Sequence, residues 1–350
     1  MGLAISVFHI VESVCEFMQI AVIIVTWNSS RLLNNVLTAL NLQTLYPDKV
    51  LVIDNGSKDA DEVAKITKQY SFCEMLCMQK NIGFASANNI AFDRCSSYDY
   101  LALLNPDAFP EPDWLEQLLT AADAYPDVAA FGSRQLRHDA PNILDGIGDC
   151  YHISGRVWRK RCGEQQRKED LIAQEIFSPC AAAVLFRRQV LVELGGFDEE
   201  YFCYLEDVDL GFRLRLAGHK ARYVPSAVIH HVGSATTGGQ HSDFSVYHGH
   251  RNLVWSFVKN MPGVLFWALL PLHILFNFVT VVHFSTHGQA KVIWRSKRDA
   301  IKGIPEMWRK RRKIQADRRA TITEIWRLLD KKLTFTAQNK HLQSVEKRIS

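Results

Sequence analysis

Residues 20–27, IAVIIVTW, are an unbroken apolar run dominated by β-branched side chains. A segment with no polar face has nothing to offer water on either side. It predicts a strand buried in a sheet that is covered on both faces. The chain goes on to supply the covering elements. Residues 30–42 place Leu33, Leu37 and Leu40 on one face of a helix. Residues 50–53 (VLVI) predict a second buried strand, ending in the turn cluster Asp54-Asn55-Gly56-Ser57. A helix over 59–70, a short strand over 75–78, a helix over 84–94, a strand over 99–104 (DYLALL) and a helix over 112–124 continue the alternation. Strand and helix alternating through short loops imply right-handed βαβ units, hence an α/β fold with a doubly wound, mostly parallel sheet.

In such sheets ligands bind beyond the carboxyl ends of the strands. Three of those ends carry polar groups: Thr26 and Asn28, Asp54, and Asn105 to Asp107. They are expected to converge on one crevice. Neither GxGxxG nor GxxxxGK occurs, which argues against a Rossmann dehydrogenase or a P-loop enzyme.

The 350 residues, 47% apolar and 22% charged, suffice for one large core and exclude a disordered or fibrous chain. A mean hydropathy of −0.08 excludes a polytopic membrane protein. The eight cysteines are scattered with no CxxC pair, which predicts buried free thiols in a reducing compartment. The net charge of +4 hides an asymmetry: residues 286–350 carry a net +12 and the rest a net −8. Just before that basic tail, residues 264–284 (VLFWALLPLHILFNFVTVVHF) are long enough for a membrane span. Pro271, His273, Asn277 and His283 interrupt them, so an in-plane or re-entrant helix fits as well as a span. Apolar helix, Trp294 and Trp308, and the cations of KVIWRSKRDAIKGIPEMWRKRRK together describe attachment to an anionic cytoplasmic leaflet. The alternatives are a basic helix packed on its own domain and nucleic-acid binding; no recognised nucleic-acid module accompanies the cations, so no nucleic-acid partner is expected. The expected organisation is a dispensable extension at 1–17, a body at 18–255 and a hydrophobic, basic helical region at 256–350 that associates with membrane.

Four places can carry chemistry. Asp107 follows an apolar strand and a proline; there it can hold a divalent cation whose other ligands are diphosphate oxygens, or simply shape a turn. Glu206 and Asp207 open a helix striped by Leu210, Leu214 and Ala217 and closed by Gly218. The helix start favours an ionised Asp207, able to take a proton from an attacking hydroxyl or to cap the helix. Asp209 and Arg213, four apart, suit a structural ion pair. His230 and His231 end a strand, so they point to opposite faces and only one can join Asp107 as a metal ligand. His248, His250 and Arg251-Asn252 form a basic cluster in which a guanidinium can neutralise a phosphate leaving group.

In order, VIIVTWNS (22–29), VIDNGSKD (52–59), NIGFASANN (81–89), LLNPDA (103–108), SPCAAAVLFRR (178–188), GGFDEEYFCYLEDVDLGFRLRLAG (195–218) and VIHHVGSA (228–235) resemble the inverting glycosyltransferases of family 2. The likeness is to their bacterial rhamnosyltransferase branch and runs from about Ile20 to about Pro262. It implies a GT-A fold and a nucleotide-sugar donor, with dTDP-L-rhamnose the first candidate. The acceptor would be a glycan or a polyprenyl-diphosphate sugar at the cytoplasmic face of the inner membrane. Thr26, Asn28 and Asp54 would contact the donor's base and ribose, and Asn81, Gly83 and Asn88 would frame the same pocket. Asp107 would end the family's DxD-type motif, here reduced to Asn105-Pro106-Asp107, and hold Mg²⁺ or Mn²⁺ with His230 or His231, of which His230 is preferred. Asp207, with Glu206 beside it, would be the catalytic base, and Arg251 would lie near the diphosphate. Self-association is left open. Competing readings are a UDP-sugar donor (galactose, galactofuranose or N-acetylglucosamine), a non-catalytic membrane scaffold, and a sugar-phosphate nucleotidyltransferase. TWNSSRLLN lacks the glycine-rich loop that last class needs.

Overall fold

The computed structural model describes residues 18–233 and 242–332; the 1–17 extension, the end of VIHHVGSA and residues 333–350 lie outside them. β1 (Ile20–Thr26), α1 (Ser30–Asn41), β2 (Lys49–Asp54), α2 (Ala60–Thr67), β3 (Cys73–Cys77), α3 (Phe84–Arg94) and β4 (Tyr100–Leu104) alternate as the hydrophobic pattern requires. The four strands lie in the order β3-β2-β1-β4, every pair parallel. Next come β5 (Ala108–Pro110), α4 (Trp114–Ala124), β6 (Val128–Arg137), β7 (Leu144–Gly146), the hairpin of β8 (Asp149–Tyr151) and β9 (Val157–Arg159), and β10 (Gln174–Glu175). β11 (Ala183–Arg187), α5 (Arg188–Leu194), α6 (Glu206–Leu216) and β12 (Lys220–His231) complete the body. β11 inserts antiparallel between β4 and β6, and β12 runs parallel to β6, so β1–β4, β6 and β12 share one direction and end at one edge.

All seven residues of β1 are buried, because the sheet is covered twice. Ala21, Ile23 and Val25 pack towards Ala87 and Ala91 of α3 and Leu210 and Leu214 of α6. Ile20, Val22 and Ile24 pack towards Leu33, Leu37 and Leu40 of α1 and Trp114 and Leu118 of α4. Alternation along one strand thus feeds two cores, each large side chain contributing roughly 1.5–3 kcal/mol on burial.

The chain continues through α7 (Asp243–Asn260), α8 (Gly263–Thr286), α9 (Ala290–Ala316) and α10 (Ile322–Leu328). The boundary expected after residue 255 falls inside α7. A third apolar cluster crosses it, joining Tyr151, Tyr201, Val208 and Phe212 of the body to Phe257, Phe266, Met307 and Ile325. Among the described residues α8 is the one helix long and apolar enough to cross a membrane, and 22% of its most apolar window is buried. Trp267, Ile274, Leu275, Phe278 and Val279 are each more than half exposed along it. Its polar interruptions have partners: His273 is buried, stacks on Phe257 with ring centres 3.9 Å apart, and its Nδ1 lies 2.8 Å from the Ser154 carbonyl oxygen, which makes it the donor.

Candidate active site

Thr26 and Asp54 stand side by side at the ends of β1 and β2. Asp54 is fully buried; its Oδ2 accepts from the Ser57 amide at 3.2 Å, while Oδ1 has no partner. A buried carboxylate oxygen left bare is costly, so its position suits a hydroxyl or N–H arriving with a ligand. Asn28, at φ +52°, ties two turns together: its Oδ1 accepts from the Lys58 amide at 2.8 Å and its own amide donates to Ser57 Oγ at 2.9 Å. Asn81 Oδ1 accepts from the Gly83 amide at 2.9 Å, which shapes the turn. Gly83 has φ +89°, and a Cβ there would meet the Phe202 ring at 2.7 Å. Asn88 is buried and donates to the Phe84 carbonyl oxygen at 2.9 Å, a bond within α3 that supports this turn from below.

The second group forms because β5 pairs antiparallel with β12, setting His231 opposite Ala108 and hence beside Asp107. His231 Nε2 lies 3.2 Å from Asp107 Oδ1, and Nδ1 lies 2.8 Å from Asp145 Oδ2. Burial opposes a charged ring, but the two carboxylates outweigh it and push His231 up to about 9. Asp145 in turn pairs with Arg159. Burial would raise its carboxyl, but Arg159 and His231 hold it well below the usual range. His230 corrects the expected preference. It faces away, with Nε2 2.7 Å from Glu111 Oε1, as strand alternation demands. The histidine at Asp107 is therefore His231.

These residues fit a divalent cation. His231 Nε2 is buried, faces Asp107 and makes no hydrogen bond of good geometry. One imidazole nitrogen and one carboxylate leave room for diphosphate oxygens as further ligands. Asp145 on the far nitrogen supplies the orienting partner that metal-binding imidazoles use.

Asp207 lies in the first turn of α6. Its Oδ1 accepts from the Val208 amide at 2.8 Å and its Oδ2 from the Ala181 amide at 3.1 Å, while Ser178 Oγ donates to its carbonyl oxygen at 3.0 Å. Burial raises this carboxyl, the amides and Arg159 pull it down, and the net direction is up. Desolvation thus works against the helix start, which favours the ionised form. Glu206 is buried with Oε2 unpartnered; burial, then the Asp207 charge, hold its carboxyl well above the usual range. Sequence reasoning missed Asp149 and Cys180, whose ligand atoms lie within 4.8 Å of each other and of Asp207. Burial and the charge of Asp207 push Asp149 up to about 8. Its local sequence, LDGIGDC, gives no periodicity or spacing signal; only the hairpin brings it in.

Asp209 has the structural role expected of it. It is fully buried, with Arg213 at 2.9 Å and Lys259 at 2.7 Å. Arg251 packs against the loop before α6. Its Nη2 donates to the carbonyl oxygens of Glu200 at 3.0 Å and Tyr201 at 2.9 Å, and its guanidinium lies over Trp255 at 4.2 Å. Part exposed, it also holds the loop before Asp207 through these carbonyls. His248 and His250 also face inward: His248 stacks on Phe202 with centres 5.3 Å apart, and burial keeps the His250 ring neutral.

The model of Glycosyl transferase family 2 matches residues 21–195. The N-acetylglucosaminyl-diphospho-decaprenol L-rhamnosyltransferase of Mycobacterium tuberculosis is 32% identical over 254 residues, covering 65% of this chain and 80% of that protein. The O-antigen chain rhamnosyltransferase RfbN of Salmonella typhimurium is 30% identical over 220 residues, covering 63% and 68%. A mannosyltransferase of Pyrobaculum calidifontis, solved with GDP-Man and Mn²⁺, superposes with a TM-score of 0.53 at 17% identity, covering 85% of this chain and 84% of that one, a likeness of fold. The chain belongs to glycosyl transferase family 2. It is a glycosyltransferase with a GT-A-type α/β fold, and its curated relatives include rhamnosyltransferases beside chondroitin and hyaluronan synthases.

Proposed function

We propose that this enzyme transfers L-rhamnose from dTDP-L-rhamnose, with inversion, to a sugar hydroxyl of a polyprenyl-diphosphate-linked acceptor in surface-polysaccharide synthesis. The observation that carries the reading is the meeting of Asp107 with His231 at the strand ends that also present Asp54, in a chain 32% identical to a lipid-linked rhamnosyltransferase. Thr26 and Asp54 would take the donor's nucleoside, with Asn28, Asn81, Gly83 and Asn88 shaping the turns around it. Asp107 and His231 would hold Mg²⁺ or Mn²⁺, which offsets the charge of the departing diphosphate. Asp207 Oδ would take the acceptor hydroxyl's proton as that oxygen attacks the anomeric carbon. The new C–O bond forms as the bond to the diphosphate oxygen breaks, so one displacement inverts the centre. A raised carboxyl suits the role, because the group that must take a proton is already less acidic than a free aspartate. The exposed apolar face of α8 and the exposed cations Lys291, Arg295, Arg298 and Lys302 of α9 support docking on an anionic membrane at its cytoplasmic face, where the lipid of such an acceptor lies.

A donor screen tests the reading. Purified protein with Mn²⁺ is melted with dTDP, UDP, GDP, CDP and dTDP-L-rhamnose, with Asp107→Ala as control. At about a hundred times Kd a ligand stabilises by roughly 2.7 kcal/mol, a readable shift in Tm. Stabilisation by the dTDP compounds alone, lost in Asp107→Ala, is expected. Stabilisation by UDP compounds instead would keep the transferase and replace the sugar.

A further inference from the structure

We propose that Asn252 is the positioning residue of the base, holding residues 201–204 in a backbone conformation they would not keep by themselves. The inference rests on Asp207 being the base. Phe202, Tyr204 and Leu205 have φ of +64°, +69° and +66°, three positive-φ residues in four, none of them glycine; Phe202, at ψ −63°, is the centre of a γ-turn closed by the Cys203 amide on the Tyr201 carbonyl oxygen at 2.7 Å. Side chains rarely adopt that region, and such runs persist only where their surroundings over-determine them. Here two side chains do so: Arg251, through the carbonyl oxygens of Glu200 and Tyr201, and Asn252, which reaches further along the loop. Asn252 is fully buried, and the two hydrogens of its Nδ2 are shared among the carbonyl oxygens of Tyr201 at 3.0 Å, Cys203 at 2.9 Å and Tyr204 at 2.7 Å. Arg251 Nε donates to Asn252 Oδ1 at 2.9 Å, which fixes the amide with its NH₂ towards the loop.

The two ends of the loop explain what the clamp is for. The Phe202 carbonyl oxygen accepts from the Ala85 amide at 3.3 Å, and the Phe202 ring fills the space that a Cβ on Gly83 would take. At the other end the Leu205 carbonyl oxygen accepts from the Asp209 amide at 2.9 Å, the bond that starts α6 and sets the direction of Asp207. One clamped loop therefore fixes the base relative to the nucleotide turn. A displacement of about 1 Å between such groups can cost on the order of 100-fold in rate.

The test is steady-state turnover of the full-length protein in anionic vesicles, normalised to the molecules that bind the nucleoside diphosphate. Asn252→Ser keeps one donor, and Asn252→Asp keeps none. We expect Asn252→Ser to lower kcat on the order of 10–100-fold with the donor KM within about threefold of wild type. Leu205→Gly, which accepts φ +66° without a side chain in the way, should recover part of that loss in the Asn252→Ser background. A kcat unchanged by Asn252→Ser overturns the proposal, and so does a raised KM at unchanged kcat, which would return Arg251-Asn252 to the diphosphate. Should neither Asn252 variant fold, Arg251→Met is read by the same split: lowered kcat supports the clamp, raised KM alone overturns it. The ratios are taken with whichever nucleotide sugar the wild type turns over, so a wrong sugar leaves the test intact. An Asp207→Asn variant of full activity would separate a failed base assignment from a failed clamp.

Discussion

His231 meets Asp107 because β12 and β5 share a register, and His230 misses it because neighbours on a strand alternate. His231→Ala should therefore abolish Mn²⁺-dependent stabilisation by the nucleoside diphosphate, while His230→Ala should leave its Kd within about twofold, both read by calorimetry. Asp149 supplies a prediction in pH. Its carboxyl is raised from 3.8 to about 8, so the folded protein binds a proton there that the unfolded chain releases. The stabilisation this proton gives is complete below the ordinary carboxylate pKa and is lost as pH rises towards 8. Asp149→Asn should raise Tm relative to wild type at pH 8 and by much less at pH 5, as scanning calorimetry would show; an equal shift at both would contradict the buried-carboxyl account. At this scale the sequence named Asp54, Asp107 and Asp207 because each follows or opens a periodic element. It could not choose between His230 and His231, since that choice lies in the pairing of β5 with β12. It missed Asp145, Asp149 and Arg159 altogether, because short strands without a hydrophobic period bring them in.

The elements themselves were the most legible part. β1, β2, β4 and the helices between them are written in runs buried on one or both faces, and the observed bounds fall within a few residues of the pattern. Ile23→Ala, in the middle of β1 and fully enclosed, should cost about 2–5 kcal/mol in denaturant unfolding. What the pattern could not show was the antiparallel β11 inside an otherwise co-directional set, since an apolar strand reads the same in both directions. The hairpin of β8 and β9 is another such case. Gly155, at φ +81° between its strands, would bring a Cβ to 2.6 Å from His273 Nδ1. Gly155→Ala should therefore destabilise by about 1–3 kcal/mol, and its effect should shrink in a His273→Ala background, a coupling that a double-mutant cycle reads directly.

Across the whole molecule, charge and hydropathy suggested an acidic body with a basic tail, and packing joins the two. Phe257, Phe266, Met307 and Ile325 share a core with Tyr151, Tyr201 and Phe212, and Lys310 of α9 reaches Asp198 of the body at 2.5 Å. Removal of residues 256–350 should therefore abolish cooperative unfolding; a truncated chain that melts as sharply as the whole would contradict this. Membrane attachment is better tested on the exposed face. Trp267→Ser with Phe278→Ser should weaken sedimentation with anionic vesicles while leaving Tm unchanged, because both side chains are more than half exposed. The central claim is an in-line displacement at a donor held by Asp107 and His231, with Asp207 taking the proton. The most direct measurement is transfer from dTDP-L-rhamnose to a polyprenyl-diphosphate-linked sugar by wild type and Asp207→Asn, with the product's anomeric configuration read by NMR. Inverted product from wild type, with kcat down on the order of 10²–10⁴-fold in Asp207→Asn, is the predicted result. Retained configuration, or an Asp207→Asn enzyme as fast as wild type, would contradict it.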